Sequence, residues 1–117
     1  MTQDAGRHSM NFSDLEKAAL QLNDLYEQLE VKRWGRAWST QELALGFMGD
    51  VGDLAKLVQA HVGVRTIDDH QAKLGHEFSD CLWSIMVLAK KCGVDLEVEF
   101  IRNMHEISAY VSGELAK

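Results

Sequence analysis

The sequence predicts an all-α protein built from four helices. Proline is absent from all 117 residues, and apolar side chains recur at three- and four-residue intervals over four long stretches. Hydrophobic residues make up 46% of the chain and charged residues 26%, which is the composition of a globular protein rather than of a disordered one. A chain of this length forms one domain. We therefore expect one helical domain over residues 12–117, behind a flexible leader of residues 1–11.

The first helix is predicted from a capping box. Ser13 is followed three residues later by Glu16, and such a pair satisfies two free backbone donors at the start of a helix. Apolar residues then continue at helical spacing, so we expect a helix over residues 14–32. The following segment, residues 33–38, contains two tryptophans and two arginines and is predicted to be a loop.

Three further helices follow from similar signals. A second Ser-x-x-Glu box at Ser39 opens a helix that is expected to end near His61. The third helix is expected to restart at residues 67–69 and to stop before Gly93, since glycine commonly terminates helices. The fourth is expected to start at Asp95. Short connections between these helices favour antiparallel neighbours in a compact bundle.

The third helix also predicts self-association. Between residues 81 and 89 only Ser84 is polar, so this stretch is apolar on every side and requires cover on every side. A four-helix monomer of this size offers too little cover. We therefore expect the bundle to be completed by homo-oligomerisation, as a homodimer or a homotetramer.

The charge balance excludes some classes of partner. Eighteen acidic residues against 12 lysines and arginines give a formal net charge of −6, the wrong sign for a protein that grips nucleic acid through its phosphates. The longest apolar run is about half of what a membrane span needs, and no signal-peptide pattern is present. We expect a cytoplasmic protein with no nucleic-acid and no membrane partner, whose acidic residues bind cations.

Two acidic pairs are the feature that predicts chemistry. Asp50 and Asp53 lie three residues apart in the second helix, and Glu77 and Asp80 lie three residues apart in the third, so each pair shares one face of its helix. The connection at residues 62–67 is short, so the two helices should form an antiparallel hairpin. Both pairs then lie at a similar height along it, because a helix rises about 1.5 Å per residue.

Four carboxylates gathered at the edge of a core repel one another unless cations neutralise them. Lys56 and Lys73 are candidates for partial pairing, but they cannot neutralise all four. Carboxylate oxygens without a histidine or cysteine set suit Mg²⁺, with Mn²⁺ as the alternative. The expected cofactor is therefore Mg²⁺, which usually arrives together with substrate phosphates.

The same residues carry a resemblance to a known family. The chain reads GDVGDL at residues 49–54, HEFSDCLW at residues 76–83 and GVDLE at residues 93–97. These motifs resemble the MazG-like all-α nucleoside triphosphate pyrophosphohydrolase superfamily. The resemblance implies hydrolysis of nucleoside triphosphates to monophosphate and pyrophosphate, in housecleaning or control of the nucleotide pool.

The resemblance also implies roles for individual residues. Asp50, Asp53, Glu77 and Asp80 take the positions of the family's Mg²⁺-binding acids. Trp34 resembles an aromatic residue near the base pocket of the members that act on dCTP and dUTP. Family members also bind substrate phosphates with basic and amide side chains, for which the candidates in this chain are Lys56, Lys73 and, in the fourth helix, Asn103.

Several roles stay open from the sequence. Trp34 and Trp38 could stack on a nucleobase, or they could fill the corner between the first two helices. Which acid, or metal-bound hydroxide, acts as the general base is not assigned by spacing. The alternative to an enzyme is a non-catalytic helical dimerisation module whose acidic cluster binds metal or a basic partner.

Overall fold

The fold is all-α, as predicted. A computed structural model describes residues 9–117, and it contains no strand in that range. The helices are α1 (Phe12–Trp34), α2 (Thr40–His61), α3 (His70–Lys91) and α4 (Leu96–Leu115). Most of the predicted leader, residues 1–8, lies outside the described residues.

Helix α1 begins earlier than predicted because a different capping box starts it. The Asn11 side chain accepts a hydrogen bond from the Asp14 backbone N–H at 2.9 Å, and the Asp14 carboxylate accepts one from the Asn11 N–H at 3.2 Å. Asparagine is as good an N-cap as serine. The predicted box at Ser13 is therefore wrong, and Ser13 lies inside the first turn of α1.

The other end of α1 also extends beyond the prediction. Gly35 adopts the left-handed conformation with φ 84°, and its N–H donates to the Val31 carbonyl at 2.9 Å, an arrangement that glycine adopts without steric cost. Arg33 and Trp34 consequently belong to the last turn of α1 rather than to a loop.

Helix α2 begins as predicted. The Ser39 side chain accepts from the Glu42 backbone N–H at 3.1 Å, and the Glu42 carboxylate accepts from the Ser39 N–H at 2.9 Å. Arg36 binds the same carboxylate at 2.7 Å. The hydrogen bond from Arg36, together with the one from Ser39, lowers the pKa of Glu42 to about 2. Through these hydrogen bonds, the Glu42 carboxylate holds the connection between α1 and α2 against the start of α2.

The starts of α3 and α4 differ in kind. Asp69 precedes α3 in the left-handed region with φ 57° and makes no side-chain capping bond, so α3 begins at His70, slightly later than predicted. Asp95 caps α4 as predicted, since its carboxylate accepts from the Val98 N–H at 3.2 Å.

Helices α2 and α3 form the predicted antiparallel hairpin, which is the most extensive helix pairing in the described chain. Near its open end, Leu43 of α2 and Val87 of α3 line the same small cavity. Near the connection, His61 Nδ1 and the Gln71 side chain lie 3.1 Å apart. The buried side chains of α3 include Leu74 and Val87, so the core runs along this hairpin.

Helix α1 packs on α3 through an aromatic contact. The Trp83 indole N–H donates to the Ala19 carbonyl at 3.0 Å, and the Tyr26 ring meets the Trp83 ring edge-on with centroids 5.6 Å apart. At the exposed margin, Lys91 pairs with Glu27 at 3.3 Å.

Helix α4 leaves the single chain open rather than closing a compact bundle. None of its residues is buried, and its contacts with α3 are few. The radius of gyration is 18.0 Å, whereas a compact domain of this length has about 13 Å. Among the described residues, none of the helices combines the length and the apolar character that crossing a bilayer demands.

Candidate functional site

Three of the four predicted acids converge in the hairpin. Carboxylate oxygens of Asp50, Asp53 and Glu77 all lie within 4.8 Å of one another. The i, i+3 spacing places both aspartates on one face of α2, and the antiparallel pairing brings Glu77 of α3 against that face. The spacing of the ligand atoms is compatible with a shared cation, because metal–oxygen distances of 2.0–2.6 Å hold oxygens this close together.

Glu77 is the most constrained member of the cluster. It is only 9% exposed, and its Oε1 is buried without a hydrogen-bond partner among the described residues. An unpartnered buried carboxylate oxygen costs free energy that native proteins normally avoid. Ionised aspartates only accept hydrogen bonds, so a hydrogen bond between the Asp50 and Glu77 side chains requires one of the two carboxyls to carry a proton. A cation is the ligand that would satisfy this oxygen.

The electrostatics of the cluster are those of an anionic site that neighbouring groups compensate only in part. Burial, followed by the charges of Asp80 and Asp53, raises the pKa of Asp50 above its ordinary value. Burial, followed by the charges of Asp50, Asp80 and Asp53, likewise raises the pKa of Glu77. Both shifts mean that the protein disfavours the ionised forms, which a bound cation would favour.

Asp80 lies beside the cluster rather than within it. Its Oδ2 is 3.2 Å from Nε2 of His76, one turn earlier on α3, and its carboxylate is outside the group of three whose oxygens converge. Its charge nevertheless contributes to the raised pKa of Asp50 and of Glu77. The described structure thus brings three of the predicted ligands together and leaves the fourth within electrostatic range.

A pocket that contains two lysines, and that we call the cationic pocket for them, opens beside the acids; two of the acids and three apolar residues complete most of its lining. It has a volume of about 450 Å³ and includes both predicted lysines, Lys56 and Lys73, together with Asp53 and Glu77. His76 also lines it. Two ammonium groups and a histidine beside carboxylates can bind an anion while a cation is held at the acids.

A second, aromatic pocket is also lined by acids of the hairpin. Its volume is about 430 Å³, and Asp50 and Asp80 are among its lining residues. Trp34 and Trp38 form part of the wall, with ring centroids 6.5 Å apart and planes inclined by 39°. Arg33 lies in the same wall. Pockets of this size with aromatic walls are typical of small-molecule sites.

The predicted residue Asn103 is not part of this site within one chain. It lies on α4 in a separate depression of about 310 Å³, whose other lining residues all belong to α4. Since α4 makes few contacts with the rest of the chain, no side chain of α4 lines either pocket beside the acids.

Glu30 and His76 are among the lining residues that were not anticipated from the sequence as site residues. Glu30 of α1 lines the aromatic pocket, and His76 lines the cationic one. The only signal for His76 is its position next to Glu77. Glu30 carries no local signal, because its burial and its hydrogen bond with the Trp38 N–H depend on a residue eight positions later in the chain.

No family model matches the chain, and no curated protein and no solved structure matches it. The chemistry open to the site is therefore defined by its side chains. They offer hard oxygen ligands for a divalent cation, cationic groups for an anion, and aromatic rings for a flat, apolar group.

Proposed function

We propose that the protein is a Mg²⁺-dependent hydrolase that converts nucleoside triphosphates to monophosphate and pyrophosphate. One observation carries this proposal. The carboxylates of Asp50, Asp53 and Glu77 converge between a cationic pocket and an aromatic pocket, and a nucleotide has the matching order of groups, with an anionic tail and an aromatic base at opposite ends. The resemblance to MazG-like pyrophosphohydrolases supports the same function.

The three converging carboxylates are the residues that would hold the metal, with Asp80 beside them. The donor set fits Mg²⁺, since all of its donors are hard carboxylate oxygens, and the unpartnered Oε1 of Glu77 supports the presence of a cation in the functional state. When bound, Mg²⁺ supplies neutralisation of phosphate charge and activation of water. Mn²⁺ has the same ligand preference and is the expected substitute.

The cationic pocket is proposed to receive the phosphate tail. Lys56 and Lys73 lie on α2 and α3 and both line the pocket, so their ammonium groups approach an anion from two helices. Their role is to orient the tail and to offset its charge, which would otherwise repel the carboxylates of Asp53 and Glu77.

The aromatic pocket is proposed to receive the base. Trp34 ends α1 and Trp38 immediately precedes the cap of α2, so the corner between the two helices presents both indoles to the pocket. Stacking on an aromatic ring contributes about 1–3 kcal/mol per base. Asp50 belongs to both the acid cluster and this pocket, which connects base recognition to the metal ligands.

The test is release of pyrophosphate from a panel of ribo- and deoxyribonucleoside triphosphates in the presence of Mg²⁺. We expect turnover of at least one of them, and a loss of more than about 100-fold for Glu77→Gln, because losing even the outer partners of metal ligands costs 10- to 100-fold. Glu16→Gln is the matched control, since Glu16 is half-buried on α1, away from the acid cluster, and lines neither of the two pockets.

Absence of pyrophosphate release from folded protein with every nucleotide would overturn the enzymatic proposal and favour a non-catalytic module. Equal turnover by Glu77→Gln and wild type would exclude the acid cluster as the reaction centre.

We also propose that the chain functions as a homo-oligomer, either a homodimer or a homotetramer. The chain exposes 8989 Å² of surface, whereas a folded monomer of 13.2 kDa exposes roughly 6,400 Å². The excess is comparable to the 2,000–5,000 Å² buried in obligate interfaces. Apolar side chains of α4 such as Phe100 and Ile107, which are 60% and 48% exposed, are the surface that a second copy would cover.

A further inference from the structure

We propose that Glu30 is a specificity-determining residue that selects nucleobases with an exocyclic amino group. This inference rests on the proposed function, because it assigns the aromatic pocket to the base. It goes further in naming the chemical class of substrate and the residue that distinguishes it.

Glu30 is a buried carboxylate in the wall of the aromatic pocket. The residue is only 9% exposed, and it lies with Trp34 and Trp38 among the residues that line the pocket. Carboxylates are rarely buried to this degree unless they are paired. Within residues 9–117, no lysine or arginine lies within ion-pair distance of it.

One oxygen of this carboxylate has a structural partner. The Trp38 backbone N–H donates to Glu30 Oε1 at 2.8 Å, which fixes the start of α2 against α1. Oε2 makes no hydrogen bond with residues 9–117. An ionised carboxylate accepts hydrogen bonds at both oxygens, so the second oxygen is available to a donor that enters the pocket.

The bases differ in what they offer to such an acceptor. Cytosine, adenine and guanine carry an exocyclic NH₂ group, which donates two hydrogen bonds. Uracil and hypoxanthine carry a carbonyl in place of the amino group of cytosine and adenine, and a carbonyl oxygen beside a carboxylate leaves both acceptors unsatisfied in a desolvated site. A site built around one acceptor therefore rejects the carbonyl analogue more strongly than packing alone can achieve.

A purely structural role for Glu30, holding the Trp38 backbone, makes a different prediction from base selection. In Glu30→Gln, the amide oxygen can still accept from the Trp38 N–H, while the amide NH₂ becomes a donor at the position of the second oxygen. The variant should therefore keep the corner between α1 and α2 and invert the hydrogen-bonding character of the pocket.

The experiment compares kcat/KM for CTP against UTP and for ATP against ITP, in wild type and in Glu30→Gln. We expect wild type to prefer the amino-bearing member of each pair by at least tenfold, and the variant to lower that preference by at least tenfold. Glu27→Gln is the matched control, because Glu27 lies one turn earlier on α1, bonds Lys91 and does not line the pocket. It should leave both preferences unchanged.

A second measurement separates this inference from the proposed function. Quenching of tryptophan fluorescence by CMP and UMP, with EDTA present, reports binding in the aromatic pocket without turnover, since Trp34, Trp38 and Trp83 all line it. A CMP preference that Glu30→Gln abolishes would support base selection even if no triphosphate is hydrolysed. Base selection by Glu30 would be overturned if wild type showed no preference between the two members of each pair. It would also be overturned if a folded Glu30→Gln protein kept the wild-type preference.

Discussion

Glu77 is the residue at which stability and ligand binding make opposite demands on this chain. Its side chain is buried beside two aspartates, and one of its oxygens has no partner among the described residues. Such an arrangement destabilises the metal-free protein, because buried like charges repel and lose hydration. Ligand-binding sites commonly retain groups of this kind, which their ligands then satisfy.

Glu77→Gln should therefore stabilise the metal-free protein while it weakens metal binding. The neutral amide removes the repulsion and can donate to a neighbouring aspartate, so we expect a gain of about 1 kcal/mol, within the range for satisfying a buried polar group. The melting temperature in EDTA should rise by about 4 °C. Addition of Mg²⁺ or Mn²⁺ should raise it further in wild type but not in the variant.

The same melting series with Glu16→Gln provides the control, since that half-buried residue lies outside the acid cluster and should change neither the metal-free midpoint nor its response to metal. A metal response that survives in Glu77→Gln would show that the cation binds elsewhere. A lower midpoint for the variant in EDTA would contradict the repulsion argument.

The four helices differ in what stabilises them. Helices α2 and α3 bury their apolar faces against each other, α1 is attached to α3 through Trp83, and α4 buries nothing within the chain. The pairing of α2 with α3 positions the site, because it sets the height at which Asp50 and Asp53 meet Glu77. The corner between α1 and α2 completes it by carrying two of the three tryptophans that line the aromatic pocket.

The start of α1 gives a direct test of which residue caps it. Asn11→Ala should destabilise the protein by about 1 kcal/mol, because it removes the acceptor for the Asp14 N–H. Ser13→Ala, the matched change two residues later, should stay within about 0.5 kcal/mol, since Ser13 is exposed within the first turn. Urea unfolding of the two variants measures both effects. A larger loss of stability for Ser13→Ala than for Asn11→Ala would favour the capping box predicted at Ser13.

The chain as a whole is more open than a compact domain. Its radius of gyration of 18.0 Å exceeds the value of about 13 Å for a compact domain of this length. Many of its large apolar side chains are exposed, and those of α4 have no cover from the rest of the chain. Exposed apolar surface on this scale marks an association site, which is why we propose a homo-oligomer.

A charge placed on the apolar side of α4 should dissociate the assembly. We expect light scattering coupled to size exclusion to give a dimer or tetramer for wild type and a monomer for Ile107→Lys, because burying an unpaired ammonium costs several kcal/mol. Ala109→Lys adds the same charge about 200° around the helix and should keep the wild-type mass. A monomeric wild-type protein, or an unchanged mass for Ile107→Lys, would contradict the proposal.

Much of the fold follows from the sequence because its signals are local. The absence of proline, the capping box at Ser39, the cap at Asp95 and the helical spacing of apolar residues all act within one or two turns. They predict four helices and their approximate bounds. The errors at Ser13 and Trp34 are also local, because a competing cap at Asn11 and a left-handed Gly35 decided the ends of α1.

The candidate site was only partly predictable, because it depends on contacts between distant segments. The i, i+3 spacing and the short connection indicated that the pairs around Asp50 and Glu77 would meet. The burial that leaves Glu77 unpartnered, the position of Asp80 outside the converging group, and the burial of Glu30 by Trp38 required the packed helices. Sequence periodicity by itself determined the helices and the carboxylates they carry. Tertiary packing alone decided which of these charges lose water, since desolvation depends on every surrounding element.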